Sequence, residues 1–210
     1  MLGFPDIRDM LIMLPGLLIA LAFHEYAHAR AADFLGDDTP YHQGRLTLNP
    51  LAHIDWLGFL MLLLVKFGWA KPVQVNPLNF KGVDMRKGMM LVSLAGPGMN
   101  FLLAIAAAVL MKLVYSMPQS GNTVAAMTLL EPLLLYNVVL GVFNLIPVPP
   151  LDGSKILAGI LPDSQGVLLD NLERYGPIIL LVLVFSGLIG RILWPVLNII
   201  LGLFSGFIFA

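Results

Sequence analysis

Residues 10–35 read MLIMLPGLLIALAFHEYAHARAADFL, and this stretch decides what kind of chain it belongs to. At about 1.5 Å per residue, a helix of that length reaches across the ~30 Å hydrocarbon core of a bilayer with some tilt. Its second half carries His24, Glu25 and His28 inside a segment otherwise suited to lipid. Ionisable groups in such a segment are costly and are usually there for function. The apolar run Leu11–Phe23 and the small-residue Ala29-Arg30-Ala31 also have the look of a cleaved leader. However, Asp6, Arg8 and Asp9 sum to −1 where a leader carries a basic head, so the stretch reads as a retained membrane helix.

Outward from there the character persists. Of 210 residues, 58% are apolar and 12% charged, about half the charge of a water-soluble domain. A net charge of −1 excludes the basic face that nucleic acid requires. Cysteine is absent, which leaves His, Asp and Glu as the available metal donors. Residues 36–55 are polar, open with Gly36-Asp37-Asp38-Thr39-Pro40, and could hold a short strand at Arg45–Leu48. Trp56–Ala70 has an apolar core, Leu57–Val65, of only nine residues, too few to cross. Lys66 and then the proline-punctuated Lys71–Phe80 predict extended or looped chain.

Met89–Tyr115 and Val124–Ile146 are predicted spans, joined by the uncharged turn 116–123. Asp152–Arg174 reads as a charged connection, with Asp163, Asp170, Glu173 and Arg174 in water. Gly176–Ala210 exceeds one span and is interrupted at Gly190-Arg191 and Trp194-Pro195, which predicts one span plus a partly separate helix. The fold class is thus an all-α polytopic membrane protein of about five helical segments, a single domain over 1–210. Residues 36–55 and 71–82 leave room for a small strand-like element near the functional residues, where an extended substrate could dock.

His24-Glu25-Tyr26-Ala27-His28 is an H-E-x-x-H sequence. Residues i and i+4 share a helix face, so both imidazoles can ligate one ion, with Glu25 about 100° round the axis and within reach of a water's proton. Two satisfied helix histidines beside a buried acid are the bland alternative, and a weak one inside a membrane. A catalytic zinc site takes three protein ligands and keeps a position open. No third histidine follows at the spacing of an extended H-E-x-x-H helix, Glu131 and Glu173 lie in unsuitable contexts, and Asp33, Asp37 and Asp38 point away or lie past the helix end. Asp152 is the remaining strong candidate. It follows a span broken by Pro147, Pro149 and Pro150, and irregular backbone at membrane depth is tolerated around a cavity.

The pairing of HEYAH with Asn144-Leu145-Ile146-Pro147-Val148-Pro149-Pro150-Leu151-Asp152-Gly153 resembles the site-2 protease family of intramembrane zinc metalloproteases. Gly96-Pro97-x-x-Asn100 is similar to that family's intervening element, and Phe67-Gly68-Trp69-Ala70-Lys71-Pro72-Val73 resembles a stretch in its compact bacterial members. The resemblance covers most of residues 20–160, in order. It implies one zinc ion per chain on His24, His28 and Asp152, Glu25 as general base and acid, and Asn144 steadying the substrate backbone or the oxyanion. It implies membrane-spanning protein substrates and a bacterial cytoplasmic membrane, without the PDZ insert and regulatory domain of larger members.

Other residues carry less. Asn137, seven residues before Asn144 on the same face, could extend a polar stripe or bond between helices. His53 could line the entrance or pair with Asp55, and otherwise is a loop histidine; His42 has less to recommend it. Asn100 beside Gly96 and Gly98 reads as close helix packing rather than catalysis. Gly202-x-x-x-Gly206 matches a packing motif that hints at a homodimer. Two rival classes are a catalytically silent membrane scaffold, which would be expected to lack a ligand or the base, and a transporter, which often shows repeated halves. The sequence has neither mark.

One ion can bind ligands from two span ends only if those ends share a side, so Trp56–Ala70 is predicted to be re-entrant or interfacial. Arg30, Arg45, Lys71, Lys81, Arg86, Lys87 and Lys155 then share the side opposite 116–123. The positive-inside tendency predicts an external N-terminus and a metal site nearer the cytoplasm.

Overall fold

The computed structural model describes residues 7–65 and 68–210; Asp6, Lys66 and Phe67 lie outside them. In chain order the helices are α1 (Ile7–Phe34), α2 (Thr39–His42), α3 (Trp56–Val65), α4 (Met85–Tyr115), α5 (Gly121–Asn144), α6 (Asp152–Ile160), α7 (Gly166–Phe185) and α8 (Leu188–Phe209). Four of them, α1, α4, α5 and α8, are long and apolar enough to cross a membrane. The fold is all-α and polytopic. At 10 residues α3 is about 15 Å long and falls short of a crossing.

Local chemistry sets the helix ends. Asp84 caps α4 by accepting from the Lys87 N–H, and Ser120 and Thr123 cap α5 reciprocally. Pro15, Pro97, Pro132 and Pro195 lie inside the four long apolar helices. Bundled membrane helices tolerate this because neighbours satisfy the freed carbonyls.

α4 is the central helix, packing against α1, α5, α6 and α8. Its buried face runs Ser93, Gly96, Pro97, Asn100, Ala104, Ala107, Ala108, Met111, a stripe of mostly small residues at helical spacing. Toward its C-terminal end, Ala104–Met111 packs with Leu134, Val138 and Val142 of α5 and Leu193, Leu197 and Ile208 of α8. Small residues let helices approach closely where lipid provides no hydrophobic contrast. Large side chains such as Leu102, Ile199 and Leu203 are exposed, as on a lipid-facing surface.

The structure corrects three local expectations. Arg45–Leu48 is not a strand: the Arg45 side chain donates to the Ala52 and Lys71 carbonyls, and strand-like pairing among the described residues is one antiparallel bridge, Ile54 to Ala70. The connection expected over Asp152–Arg174 is largely helical. α6 begins at Asp152 itself, and Asp170, Glu173 and Arg174 lie on α7. The tail breaks at Ser186-Gly187, where Gly187 adopts φ +72°, and not at Gly190-Arg191 or Trp194-Pro195. Gly202 and Gly206 lie on a face of α8 that no described residue of this chain covers.

Candidate metal centre

Three atoms from two distant parts of the chain converge. His24 Nε2 and His28 Nε2, one turn apart on α1, lie 3.0 Å from each other. Asp152 Oδ2, at the first position of α6, lies 3.2 Å from His24 Nε2 and 3.1 Å from His28 Nε2. All three residues are buried, the most exposed at 8%.

Two glycines make the convergence geometrically feasible. A Cβ on Gly96 would sit 2.4 Å from His28 Nε2 and 2.7 Å from His24 Cε1, so α4 must present bare backbone to the imidazoles. A Cβ on Gly153 would sit 2.3 Å from the Leu145 carbonyl oxygen, so the start of α6 can tuck under the end of α5 only with glycine after Asp152. At its other end α6 is held by Arg86, whose guanidinium donates to the Ala158 and Leu161 carbonyls at 2.5 and 3.0 Å.

The protons on the imidazoles follow from a directional chain of hydrogen bonds. Asn137 Nδ2 donates to its own helix at Leu133, leaving its Oδ1 to accept from Asn100 Nδ2 at 2.9 Å. Asn100 Nδ2 also donates to the Ala20 carbonyl, so Asn100 Oδ1 is the acceptor facing His24 Nδ1 at 2.6 Å. His28 Nδ1 donates to the Val92 carbonyl at 2.8 Å. Each ring therefore carries its proton on Nδ1 and presents a lone pair at Nε2.

Two lone pairs and a carboxylate oxygen within 3.2 Å of one another, with Asp152 Oδ2 buried and lacking a hydrogen bond, repel unless a cation lies among them. The spacing fits one. A tetrahedral ion with bonds of about 2.0–2.1 Å separates its ligands by about 3.3 Å.

Glu25 opens onto the same cavity of about 110 Å³, whose wall includes Asn144, Lys155 and the extended segment at Pro72, Val73 and Val75. The Val73 N–H donates to Glu25 Oε2 at 3.1 Å. That segment is tied at both ends. The Lys71 N–H donates to the His53 carbonyl at 2.9 Å, and the Asn76 N–H donates to Asp37 Oδ2 at 2.7 Å. Asp37 is fully buried and also accepts from the Thr39 N–H and hydroxyl and from Asn79 Nδ2. Desolvation pushes the Asp37 carboxyl upward, yet these donors together hold it below its ordinary value.

Of the residues singled out in the sequence, His24, His28, Asp152, Glu25 and Asn144 meet here. Asn144 lines the cavity, and its Nδ2 donates to the Leu140 carbonyl of its own helix at 3.0 Å. Asn137 does bond between helices, and Asn100, expected as packing, is the acceptor that orients His24. His53 does not pair with Asp55: its Nε2 donates to the Thr47 carbonyl, and Asp55 caps α3 at the Gly58 N–H. His42 pairs with Asp38 on the surface. The Val92 carbonyl, Asp37 and Lys155 were missed. Only the charge of Lys155 was marked in the sequence, and a backbone carbonyl leaves no sequence signal.

Comparison with known proteins places this geometry in a family. The model described as Peptidase family M50 matches residues 113–188. YwhC of Bacillus subtilis, provisionally named a zinc metalloprotease, is 39% identical over 185 residues, 87% of this chain and 84% of the relative. Rip2 of Mycolicibacterium smegmatis, named in the same provisional way, is 30% identical over 86% of this chain and 69% of its own length. A zinc metalloprotease of Methanocaldococcus jannaschii, MJ0392, is 31% identical over 126 residues, covering 59% of this chain and 34% of the relative. No solved structure matches. With four helices able to cross a membrane, a buried His-His-Asp cluster and a relative matched over most of both chains, the protein belongs to peptidase family M50, the site-2 proteases.

Proposed function

We propose that this metalloprotease hydrolyses peptide bonds of membrane-spanning proteins within the bilayer, using one zinc ion held by His24, His28 and Asp152. Residues 1–210 act as one catalytic domain, in a bacterial cytoplasmic membrane, with the site nearer the cytoplasmic face. The observation that carries the reading is the triangle of unprotonated donor atoms, 3.0–3.2 Å on a side, buried among helices long enough to span.

Zinc held there supplies Lewis acidity, making water acidic enough to ionise near neutral pH. Glu25 Oε2 is engaged by the Val73 N–H, which leaves Oε1 to take the proton of the attacking water and return it to the leaving amine. The hydroxyl oxygen is thereby added to the carbonyl carbon and the proton to the amide nitrogen, and the C–N bond between them breaks to leave a carboxyl group and an amine. Asn144 lines the same cavity, and its second N–H is the donor that stabilises the carbonyl oxygen as its charge grows. Residues 72–75 are extended between two anchors, an edge beside which an extended substrate segment can lie. Such a segment must be unwound from its own helix first, because a helical backbone hides its carbonyls.

The test pairs two variants purified in detergent with a panel of single-span proteins. Glu25→Gln should keep stoichiometric zinc and lose at least 10²–10⁴-fold in cleavage. Asp152→Ala should lose zinc and activity together. Cleavage by Glu25→Gln at the wild-type rate, or full zinc in Asp152→Ala, would sink the assignment.

A further inference from the structure

A second cavity, of about 130 Å³, lies beside the metal centre and is not used by the chemistry above. We propose that it is the subsite for one apolar side chain of the substrate, that of a residue flanking the scissile bond; the proposal rests on the protease reading.

The argument is one of register. The cavity is walled by Leu18, Leu21 and Ala22 of α1, by Leu140 of α5 and by Trp69 and Ala70 of the chain leading into the extended segment. The two cavities have no lining residue in common, but each of these walls belongs to an element that also lines the metal-centre cavity. Leu18, Leu21 and Ala22 stand seven, four and three residues before Glu25, so all four share a face of α1. Leu140 precedes Asn144 by one turn of α5, and Ala70 precedes Pro72 by one extended repeat. One turn of helix is about 5.4 Å, and alternate side chains of an extended peptide stand about 6.6–6.8 Å apart. A substrate lying along residues 70–75 with its scissile bond at Glu25 therefore drops a neighbouring side chain into this cavity.

The lining names the class of side chain. It is largely apolar; Asp55 caps α3 and His53 Nε2 donates to the Thr47 carbonyl, which leaves the buried His53 Nδ1 as an acceptor without a partner among the described residues. An apolar cavity of about 150 Å³ accommodates benzene, so an aliphatic side chain or a single phenyl ring fits and an indole overfills. An anionic side chain would meet the Asp55 carboxylate and the His53 Nδ1 lone pair, and is excluded.

Peptide hydroxamates provide the probe, because the chelating group anchors on the metal and the neighbouring side chain samples the wall. Two series are needed, with Ala, Leu or Phe placed N-terminal or C-terminal to the hydroxamate. Trp56→Phe with Trp194→Phe leaves cavity residue Trp69 as the one tryptophan, and its fluorescence reports occupancy. In one series the Phe probe should bind roughly ten- to a hundredfold tighter than the Ala probe. Leu140→Phe and, independently, Leu21→Phe should erase that preference, and Leu140→Ala should extend it to a naphthyl side chain. Equal affinities for Ala and Phe in both series, or a preference that survives both filling variants, would overturn the subsite while leaving the metal site intact. Failure of every probe, acetohydroxamate included, to bind zinc-loaded protein would overturn the protease reading and the subsite with it.

Discussion

The two ends of α4 do opposite things with the same stripe. Toward the N-terminal end, Ser93, Gly96 and Asn100 face α1, and the contacts are hydrogen bonds and bare backbone against imidazoles. From Ala104 to Met111 the stripe faces α5 and α8, and the contacts are methyl groups and one thioether. Asn137 and Val138, adjacent on α5 and both fully buried, divide between the two ends in the same way. The apolar end gains its hold from close packing alone, since lipid is as apolar as its side chains. The polar end contributes orientation: the hydrogen bonds of His24 Nδ1 to Asn100 and of His28 Nδ1 to the Val92 carbonyl point the lone pairs of both rings at the same spot.

The sharpest test of the comparison is which end faces which water. Single cysteines at Thr39, Asn79 and Ser120, in a chain that has none, can be labelled with an impermeant thiol reagent. Positions 39 and 79 should react from the cytoplasmic side and position 120 from the other, all or none. Opposite labelling of 39 and 79 would make α3 part of a true crossing and separate the two ligand ends.

Next comes the polar end itself. Asn100→Leu removes the acceptor that sets His24 and should weaken zinc binding by about 10–100-fold, measured by competition with a chelator. Unchanged affinity would mean that packing alone orients the ring. At the apolar end, Val138→Ala should lower stability by roughly 1 kcal/mol in a detergent unfolding titration and leave zinc affinity alone. A change in zinc affinity there would show that the two ends are coupled.

The smallest effect concerns Asp37. Its carboxyl titrates below its ordinary value of 3.8, so the stabilisation it provides is complete above that pH and lost as pH falls through the lower folded value. Amide exchange at Asn76 should accelerate below pH 3.8 in the wild type. Asp37→Asn should show fast exchange already at neutral pH, with no further acid-dependent rise from this group.

These contrasts explain what could be read from the sequence. The four long apolar helices and the shared face of His24 and His28 follow from hydropathy and a helical period, which are local. Asp152 could be reached because few other carboxylates were eligible. Asn100 could not, since an asparagine near two glycines looks the same whether it packs or orients a ligand 76 residues away. Asp37 was hidden among neighbouring acids, and its partners, Asn76 and Asn79, come from a distant loop. The strand expected at Arg45–Leu48 gave way to the Arg45 guanidinium, which takes two loop carbonyls as partners.

The placement of Asp152 on its own short helix, far along the chain from the histidines, also has a consequence for biosynthesis. During translation α1 emerges first, carrying two of the three proposed donors and the proposed general base. The third arrives after α4 and α5 have been made, and it reaches the histidines only when those helices have paired and α6 has tucked under the end of α5. If these residues hold the metal as proposed, a nascent chain enters the membrane without a complete metal-binding set, and hydrolytic competence arises with tertiary assembly, not with the synthesis of the H-E-x-x-H motif.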